Sequence, residues 1–247
     1  KLQSSIPFTP VTGPRFLTRA NDHKSLLAMG AAELTEKQGI SSLHITFLDQ
    51  NDLSALKETP YLIRSDQQFH WHNDGYDNFD DFLETLSSRK RKNIRKERKT
   101  ALKNDILIER LTGAEIQEHH WDHYFDFYIN TSMRKWGRPY LNRDFFSLIG
   151  ETMADNIILI MAKREGKYIA GALNFQGPDT LYGRYWGAVE HHPCLHFEVC
   201  YYQAIDHAIK HGLKRVEAGA QGEHKLARGY VPTKTHSAHY ITDPNFR

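Results

Sequence analysis

The sequence predicts an α+β fold in which helices flank a mostly antiparallel sheet, and three observations lead to that class. Helical periodicity dominates residues 114–153, where aromatic side chains recur every three or four positions. Three strand-like segments follow, joined by the short turns Glu165-Gly166 and Gly177-Pro178-Asp179, which have hairpin residues. One helix and further strands end the chain, so the order lacks the regular strand–helix alternation of a dinucleotide-binding fold.

The first half combines a helix, short strands and one long basic helix. Apolar residues share one face of residues 25–38, which predicts a helix that Gly39 ends. Strict alternation over residues 43–47 predicts a strand. The other elements predicted here are a short helix at 52–58, strands at 61–64 and 68–71, and a long helix at 79–102.

The second half supplies most of the predicted sheet. Trp121, Tyr124 and Tyr128 fall at helical spacing, which predicts a helix from about Ala114 to Lys135. The other elements are helices at 143–153 and 195–211, and strands at 106–110, 157–163, 169–175, 181–186, 216–218 and 237–241. We place a domain boundary near residue 105, which divides the chain into residues 1–105 and 106–247.

Composition is that of an ordinary globular protein. Hydrophobic residues make up 40% and charged residues 25% of the 247 residues, and the formal net charge is only +2. Cys194 and Cys200 form no disulfide framework and suit a reducing compartment, and no segment is apolar enough for a membrane span. We therefore expect a cytoplasmic protein. Because the chain begins with Lys1 rather than Met, we also expect a piece of a longer protein.

Several long segments carry a family resemblance. They are LYGRYWG (181–187), LHFEVCYYQAIDHAIKHGLKRVEAGAQGEHKLARGYVP (195–232), THSAH (235–239), PFTPVTGPR (7–15), FHWHNDGY (69–76) and FLETLSSRKRKNIRKER (82–98). In these segments the chain resembles the bacterial FemAB-like family of peptidoglycan biosynthesis or recognition proteins. The resemblance implies a GNAT-like (acyl-CoA N-acyltransferase) fold in a Fem-type tandem, with an incomplete first half and a complete second half. It also implies transfer of an acyl or aminoacyl group to an amine, with a peptidoglycan precursor as one candidate acceptor.

The segment Glu217–Gly229 is the first candidate site. Gly219 and Gly222 allow a tight turn after a strand, and polar side chains follow. Glu223 or His224 is positioned to take a proton from an attacking amine. Lys225 and Arg228, with Gln221, are candidates for holding a phosphate or carboxylate of the substrate. The alternative is a polar loop with an ordinary salt bridge.

The start of the helix at 195–211 is the second candidate. His196 and Glu198 face the end of the sheet, where they are candidates to polarise a substrate or orient the loop at Glu223. Helix capping and core packing are the alternative. The spacing of His and Cys here lacks the paired ligands of a zinc site, so we expect no metal.

The basic run of the long helix is the third candidate. Helical spacing predicts one stripe containing Arg91, Arg95, Arg98 and Lys99. Such a stripe attracts polyanions, and transfer RNA, a lipid pyrophosphate and an anionic membrane surface all remain open. The alternative is a solvated helix face.

Aromatic and imidazole side chains in residues 69–73 are the fourth candidate. Trp71 and His72 are positioned to stack on, or hydrogen-bond to, a sugar or base. Packing in the core is the alternative.

One departure from GNAT enzymes makes acetyl-CoA a less favoured donor. Those enzymes hold the pyrophosphate of coenzyme A at a Gly-rich helix N-terminus. The nearest match here runs from Arg184 to Val189, and its first residue falls inside a predicted strand. No cofactor is firmly implied, and the donor is an acyl-CoA or an aminoacyl-tRNA. The rival hypothesis is a non-catalytic GNAT-like module that binds a cell-wall precursor or RNA. The oligomeric state is left open.

Overall fold

The structure is a computed structural model, and it describes residues 1–6, 8–19, 23–134, 139–219 and 222–246. The helices are α1 (His23–Lys37), α2 (Gln50–Ala55), α3 (Phe79–Glu84), α4 (Ser88–Ala101), α5 (Glu118–Arg134), α6 (Arg143–Met153) and α7 (residues 195–210). The strands are β1 (Leu2–Ser4), β2 (Ser42–Leu48), β3 (Leu62–His72), β4 (Leu107–Leu111), β5 (Ile157–Arg164), β6 (Lys167–Gln176), β7 (Thr180–Ala188), β8 (Arg215–Glu217) and β9 (Val231–Ile241).

The chain forms two compact units, and the first contains Lys1–Gln68 and Pro232–Arg247. In this unit β1 pairs in parallel with β2, which pairs antiparallel with β9. Helix α1 buries Ala28 and Ala32 against Leu43 and Ile45 of β2. Asp52 is fully buried and accepts hydrogen bonds from the Lys24 ammonium group at 2.6 Å and from the backbone N–H of Phe16 at 3.2 Å.

The second unit is Phe69–Val231 and holds the larger sheet. Its strand order is β3-β8-β7-β6-β5-β4, and every adjacent pair is antiparallel except β7 with β8. Alternate residues of β5 enter two different cores: Ile158 and Ile160 pack in the cluster with α4 and α7, whereas Leu159 packs with α5 and α6. Helices therefore cover both faces of these strands.

Helix α5 lies close to the sheet at one glycine. A Cβ atom at Gly187 of β7 would lie 2.3 Å from the carbonyl oxygen of Phe127, so a larger residue would push the helix away. The predicted α+β class with a mostly antiparallel sheet is confirmed.

Several element boundaries differ from those predicted. The long helix predicted at 79–102 is two helices, because the Ser87 hydroxyl caps a new N-terminus by accepting from the Lys90 N–H. The two strands predicted at 61–64 and 68–71 are one strand, β3. Helix α5 begins at Glu118 rather than near Ala114, and Lys135 lies outside the described residues.

The two compact units do not coincide with the predicted division at residue 105, since the chain divides after Gln68 and after Val231. The assignment of residues 1–105 and 106–247 to two GNAT-like halves stays a prediction. Within the described parts of the chain, no helix has the length and apolar character needed to cross a membrane.

Candidate active site

The candidate site lies where two neighbouring strands separate. Strands β7 and β8 pair in parallel at only three positions, and the last pair is Tyr182 with Glu217. Strand β7 continues to Ala188, whereas β8 ends at Glu217. Beyond Tyr182, no described strand pairs with the β8-facing edge of β7. The backbone groups on that edge are therefore available to a ligand.

A cavity of about 110 Å³ occupies this gap. Strands β6 and β7 form one wall, the start of α7 forms the second, and Ala218 lies on the third side. The lining residues are Ala172, Leu173, Asn174, Gly183, Arg184, Tyr185, Trp186, His196, Cys200, Tyr201 and Ala218.

A β-bulge shapes the wall formed by β7. Leu173 of β6 pairs with Tyr185, and the next residue, Asn174, pairs with Gly183, so Arg184 is the extra residue. Asn174 is buried, and its side-chain amide donates to the carbonyl of Ile158 at 3.1 Å. The bulge therefore bends β7 at the point where it leaves β8.

The helix that faces this wall contains a π-helical turn. Helix α7 is α-helical over Leu195–Phe197, π-helical over Glu198–Tyr202 and α-helical again over Gln203–Lys210. A π turn brings residues five apart onto one side, and the rings of His196 and Tyr201 lie 5.3 Å apart on the cavity side.

The loop after β8 brings an imidazole to Tyr201. The Nε2 atom of His224 lies 3.0 Å from the Tyr201 hydroxyl oxygen. Burial, followed by the nearby charges of Arg228 and Lys225, lowers the pKa of His224 below its ordinary value. Burial raises the pKa of Tyr201. At neutral pH the pair is thus a neutral imidazole and a protonated phenol.

One glycine is required for this contact. Gly222 has a φ of 103°, and a Cβ atom there would lie 2.1 Å from Cε1 of His224. Only glycine leaves room for the imidazole in this position.

Lys225 is buried and holds the loop to the strand end. Its ammonium group donates to the carbonyl oxygens of Ala218 at 2.5 Å and Gly219 at 3.1 Å. Burial lowers its pKa to about 8. Two of the three N–H donors of this ammonium group therefore bond to the protein itself.

Arg228 is also buried and engaged. Its guanidinium group donates to the carbonyl of His224 at 2.6 Å and to the Glu97 carboxylate at 2.8 Å. The same group lies 3.4 Å from the centroid of the Phe197 ring. Arg228 thereby fixes the His224 backbone and ties the loop to α4 and α7.

Glu198 lies away from the cavity, in an ion pair with Arg98. It is fully buried and accepts from Arg98 at 3.0 and 3.2 Å and from the Gln203 side chain at 2.8 Å. Arg98 also donates to Asp206 at 2.6 Å. Burial raises the pKa of Glu198, and the Arg98 charge opposes that rise. Arg98 is therefore engaged by two carboxylates of α7.

Two other members of the predicted basic stripe are paired as well. Arg91 donates to Glu84 at 2.5 Å, and Arg95 donates to Asp80 at 2.9 Å. Lys99 is exposed. Substrate binding by Arg91, Arg95 and Arg98 stays a prediction that these contacts do not favour.

The remaining predicted site residues are divided between the cavity and other places. His196 and Arg184 line the cavity. Trp71 is 1% exposed and packs in the core, with its ring centroid 5.6 Å from that of Phe82, as the core-packing alternative expected. His72, Glu223 and His224 are exposed and do not line the cavity, although His224 contacts Tyr201, which does. Gln221 lies outside the described residues.

Asn174 and Tyr201 line the cavity but were not predicted from the sequence, and Cys200, which was weighed there only as a metal ligand, lines it too. Tyr201 adjoins Tyr202, which regular helical spacing assigns to the buried stripe, and no sequence signal marks the π turn that also directs Tyr201 inward. In the described residues, no group of three or more His, Cys, Asp or Glu side chains is arranged to hold a metal ion.

The sheet flanked by helices has a GNAT-like fold. The chain belongs to the FemAB-like family, described as peptidoglycan biosynthesis/recognition, whose family model matches residues 1–247. No curated protein sequence shows significant similarity to it.

Solved structures share the fold at low sequence identity. FemX is 13% identical with a TM-score of 0.63, covering 98% of this chain and 83% of FemX. L-PGS from Bacillus licheniformis is 9% identical with a TM-score of 0.65, covering 90% of this chain and 74% of L-PGS. A tandem GNAT protein of the clavulanic acid biosynthesis pathway is 12% identical with a TM-score of 0.51, covering 92% of this chain and 72% of that protein.

Proposed function

We propose that this protein is an N-acyltransferase that moves an acyl or aminoacyl group from an activated donor to an amine. The observation that supports this activity best is the gap between β7 and β8 with the His224–Tyr201 pair beside it. The family description makes a peptidoglycan precursor the first candidate acceptor.

The donor is proposed to lie along the unpaired edge of β7. Alternate residues within 183–186 direct backbone N–H and C=O groups toward that edge, where these groups are suited to hydrogen-bond an extended chain that contains amides or esters. The Tyr185 carbonyl already accepts from the Tyr124 hydroxyl at 2.8 Å. A cavity of about 110 Å³ accommodates a small acyl or aminoacyl group, while the carrier stays outside. Acyl-CoA and aminoacyl-tRNA both fit this description.

The proposed chemistry is direct attack of the acceptor amine on the donor carbonyl. A bond forms between the amine nitrogen and the carbonyl carbon, and the bond to the carrier's oxygen or sulfur breaks. His224 takes the proton from the amine, because its lowered pKa keeps the imidazole neutral. Tyr201 donates its hydroxyl proton to the leaving atom and regains a proton from His224 across their 3.0 Å contact. The remaining contribution is the positioning of both reactants.

The test is product formation by the purified chain, followed by mass spectrometry. Acetyl-CoA, long-chain acyl-CoA and charged tRNA are supplied as donors, and amine-bearing peptidoglycan precursors as acceptors. We expect one donor class to give an N-acylated product, and we expect His224→Ala and Tyr201→Phe to reduce turnover. His72→Ala is the matched control, since His72 is also an exposed histidine outside the cavity lining but lies on β3 and has no described contact with Tyr201. Equal turnover in His224→Ala and the wild type would remove the pair from the chemistry.

A non-catalytic binding module is the second candidate, and one observation favours it. Lys225 and Arg228, which sequence analysis assigned to the substrate, already donate to backbone carbonyls and to Glu97. This module would bind a donor or cell-wall precursor and give no product. Thermal stability with each ligand separates the two hypotheses, because a ligand at a hundred times its Kd adds about 2.7 kcal/mol of stability. A stability shift without turnover identifies the binding module.

A further inference from the structure

Helix α4 carries a row of basic side chains that the fold leaves unpaired. Its 14 residues include eight basic residues and one acidic residue, Glu97. The arginines at 91, 95 and 98 are ion-paired with Glu84, Asp80, Glu198 and Asp206. Glu97 faces inward and accepts from Arg228 and Tyr202. The acids near the helix are thus occupied by arginines and one tyrosine.

Lys90 donates to the carbonyl of Leu226 at 3.0 Å. The other four basic side chains of the helix, with Lys103 just beyond it, form one row, which we name the lysine row. All five are exposed, and none forms an ion pair with any residue that the structure describes. Neighbours along the row are three or four residues apart, so they share one side of the helix. Its members are Arg89, Lys92, Lys96, Lys99 and, just beyond the helix end, Lys103.

Two exposed apolar side chains lie next to the end of this row in the sequence. Leu102 is 43% exposed and Leu107 is 65% exposed. Asp105, between them, is the only acid from residue 98 to residue 108. Cations next to exposed leucines match the interface of an anionic bilayer, where headgroups take the charges and acyl chains take the apolar groups.

Nucleic acid is the less favoured polyanion for two reasons. Residues 86–107 contain no aromatic residue, and aromatic stacking is the usual platform for single-stranded nucleic acid. Four of the five cations are lysines, whereas Arg95 and Arg98, whose guanidinium groups suit phosphate recognition, are already paired with carboxylates of the protein.

We propose that the lysine row, with Leu102 and Leu107, binds the surface of a membrane that contains anionic lipids. The row spans about 15 Å from Arg89 to Lys99, and its charges lie well within a Debye length of a surface that they contact. This binding does not depend on acyl transfer, so it stands or falls separately from the proposed function.

The experiment is co-sedimentation of the purified chain with vesicles. One set contains phosphatidylcholine alone, and the other contains equal parts of phosphatidylcholine and phosphatidylglycerol. We expect binding to the second set only, and we expect it to weaken as salt is added. Lys96→Gln with Lys99→Gln should lower the partition coefficient about 30-fold, since each lysine near such a surface contributes about fivefold. Gln supports a helix nearly as well as Lys, so folding is preserved.

The matched control removes two charges elsewhere. Lys57→Gln with Lys234→Gln changes two exposed lysines and should leave vesicle binding unchanged. Leu102→Ser with Leu107→Ser should weaken binding several-fold without changing its salt dependence. Equal binding to both vesicle sets, or wild-type binding by the row variant, would overturn the proposal. If the wild type bound transfer RNA but no vesicles, and the row variant lost that RNA binding, the ligand of the lysine row would be RNA and not a membrane.

Discussion

The imidazole Nε2 of His224 lies 3.0 Å from the hydroxyl oxygen of Tyr201, and this contact joins the loop after β8 to the π turn of α7. Glu223, the neighbouring residue, and His224 are both exposed, and neither lines the cavity. The contact with Tyr201, which does line the cavity, therefore distinguishes His224 from Glu223 as a candidate base.

The first prediction assigns the base. His224→Gln should lower kcat/KM about 10²–10⁴-fold, the usual contribution of a general base, while Glu223→Gln should retain activity. In the wild type, the acid limb of the kcat/KM profile should lie below pH 6.5, because the pKa of His224 is lowered from that ordinary value. Turnover and pH profiles of both variants check this assignment. Loss of activity in Glu223→Gln with full activity in His224→Gln would reverse it.

The second prediction concerns the room that Gly222 leaves for His224. Gly222→Ala places a Cβ atom against the imidazole, so the His224–Tyr201 contact should be lost and turnover should fall toward that of His224→Gln. Gly75→Ala is the matched control, because Gly75 also has a positive φ but no atom within 4 Å of an added Cβ. Both variants carry the backbone strain, of order 1–2 kcal/mol, and only the first should lose activity. Thermal unfolding and turnover are measured together, and equal loss of activity would show that strain alone is responsible.

The sequence predicted the elements whose pattern is local. Strand-like composition and hairpin turns placed β5, β6 and β7 within one or two residues, because both signals are encoded in neighbouring residues. The helix N-terminus at Ser87 was missed, although Ser is a favoured cap, because residues 79–102 contain no Gly or Pro to mark a break in the helix.

The geometry of the site could not be predicted in the same way, because it depends on contacts between distant parts of the chain. The partners of Arg98 are Glu198 and Asp206, about a hundred residues away, and no local pattern distinguishes Arg98 from Lys99. The separation of β7 from β8 is likewise a property of pairing between strands, which composition does not encode. The segment around residues 217–229 was identified from the sequence because glycines and polar residues are concentrated there. The sequence did not reveal that Lys225 and Arg228 donate to backbone carbonyls of the same segment.

The third prediction is a pH dependence of stability that Lys225 causes. Its pKa is about 8 in the folded protein and 10.5 ordinarily, so between these values the unfolded chain binds more protons. The contribution of Lys225 to the free energy of unfolding therefore rises from pH 8 to pH 10.5. Wild type should gain about 2–3 kcal/mol relative to Lys225→Met over this range, because the variant has no such proton. Urea unfolding of both proteins at the two ends of the range measures the difference. A constant difference would mean that Lys225 keeps its ordinary pKa.

The fourth prediction compares two arginines on the same helix. Arg98→Gln leaves the fully buried Glu198 without its charged partner, and we expect a loss of about 3–5 kcal/mol in the free energy of unfolding. Arg95→Gln breaks an exposed pair with Asp80 and should cost less than about 1 kcal/mol. Both variants replace Arg by Gln on the same helix, so the change in helix propensity is the same in each. The burial of the carboxylate partner therefore determines the difference in stability. Adding Glu198→Gln to Arg98→Gln should restore part of the stability, because the stranded carboxylate is removed. Urea unfolding of the three variants tests this expectation, and equal losses for Arg95→Gln and Arg98→Gln would show that Arg98 is not the partner that compensates Glu198.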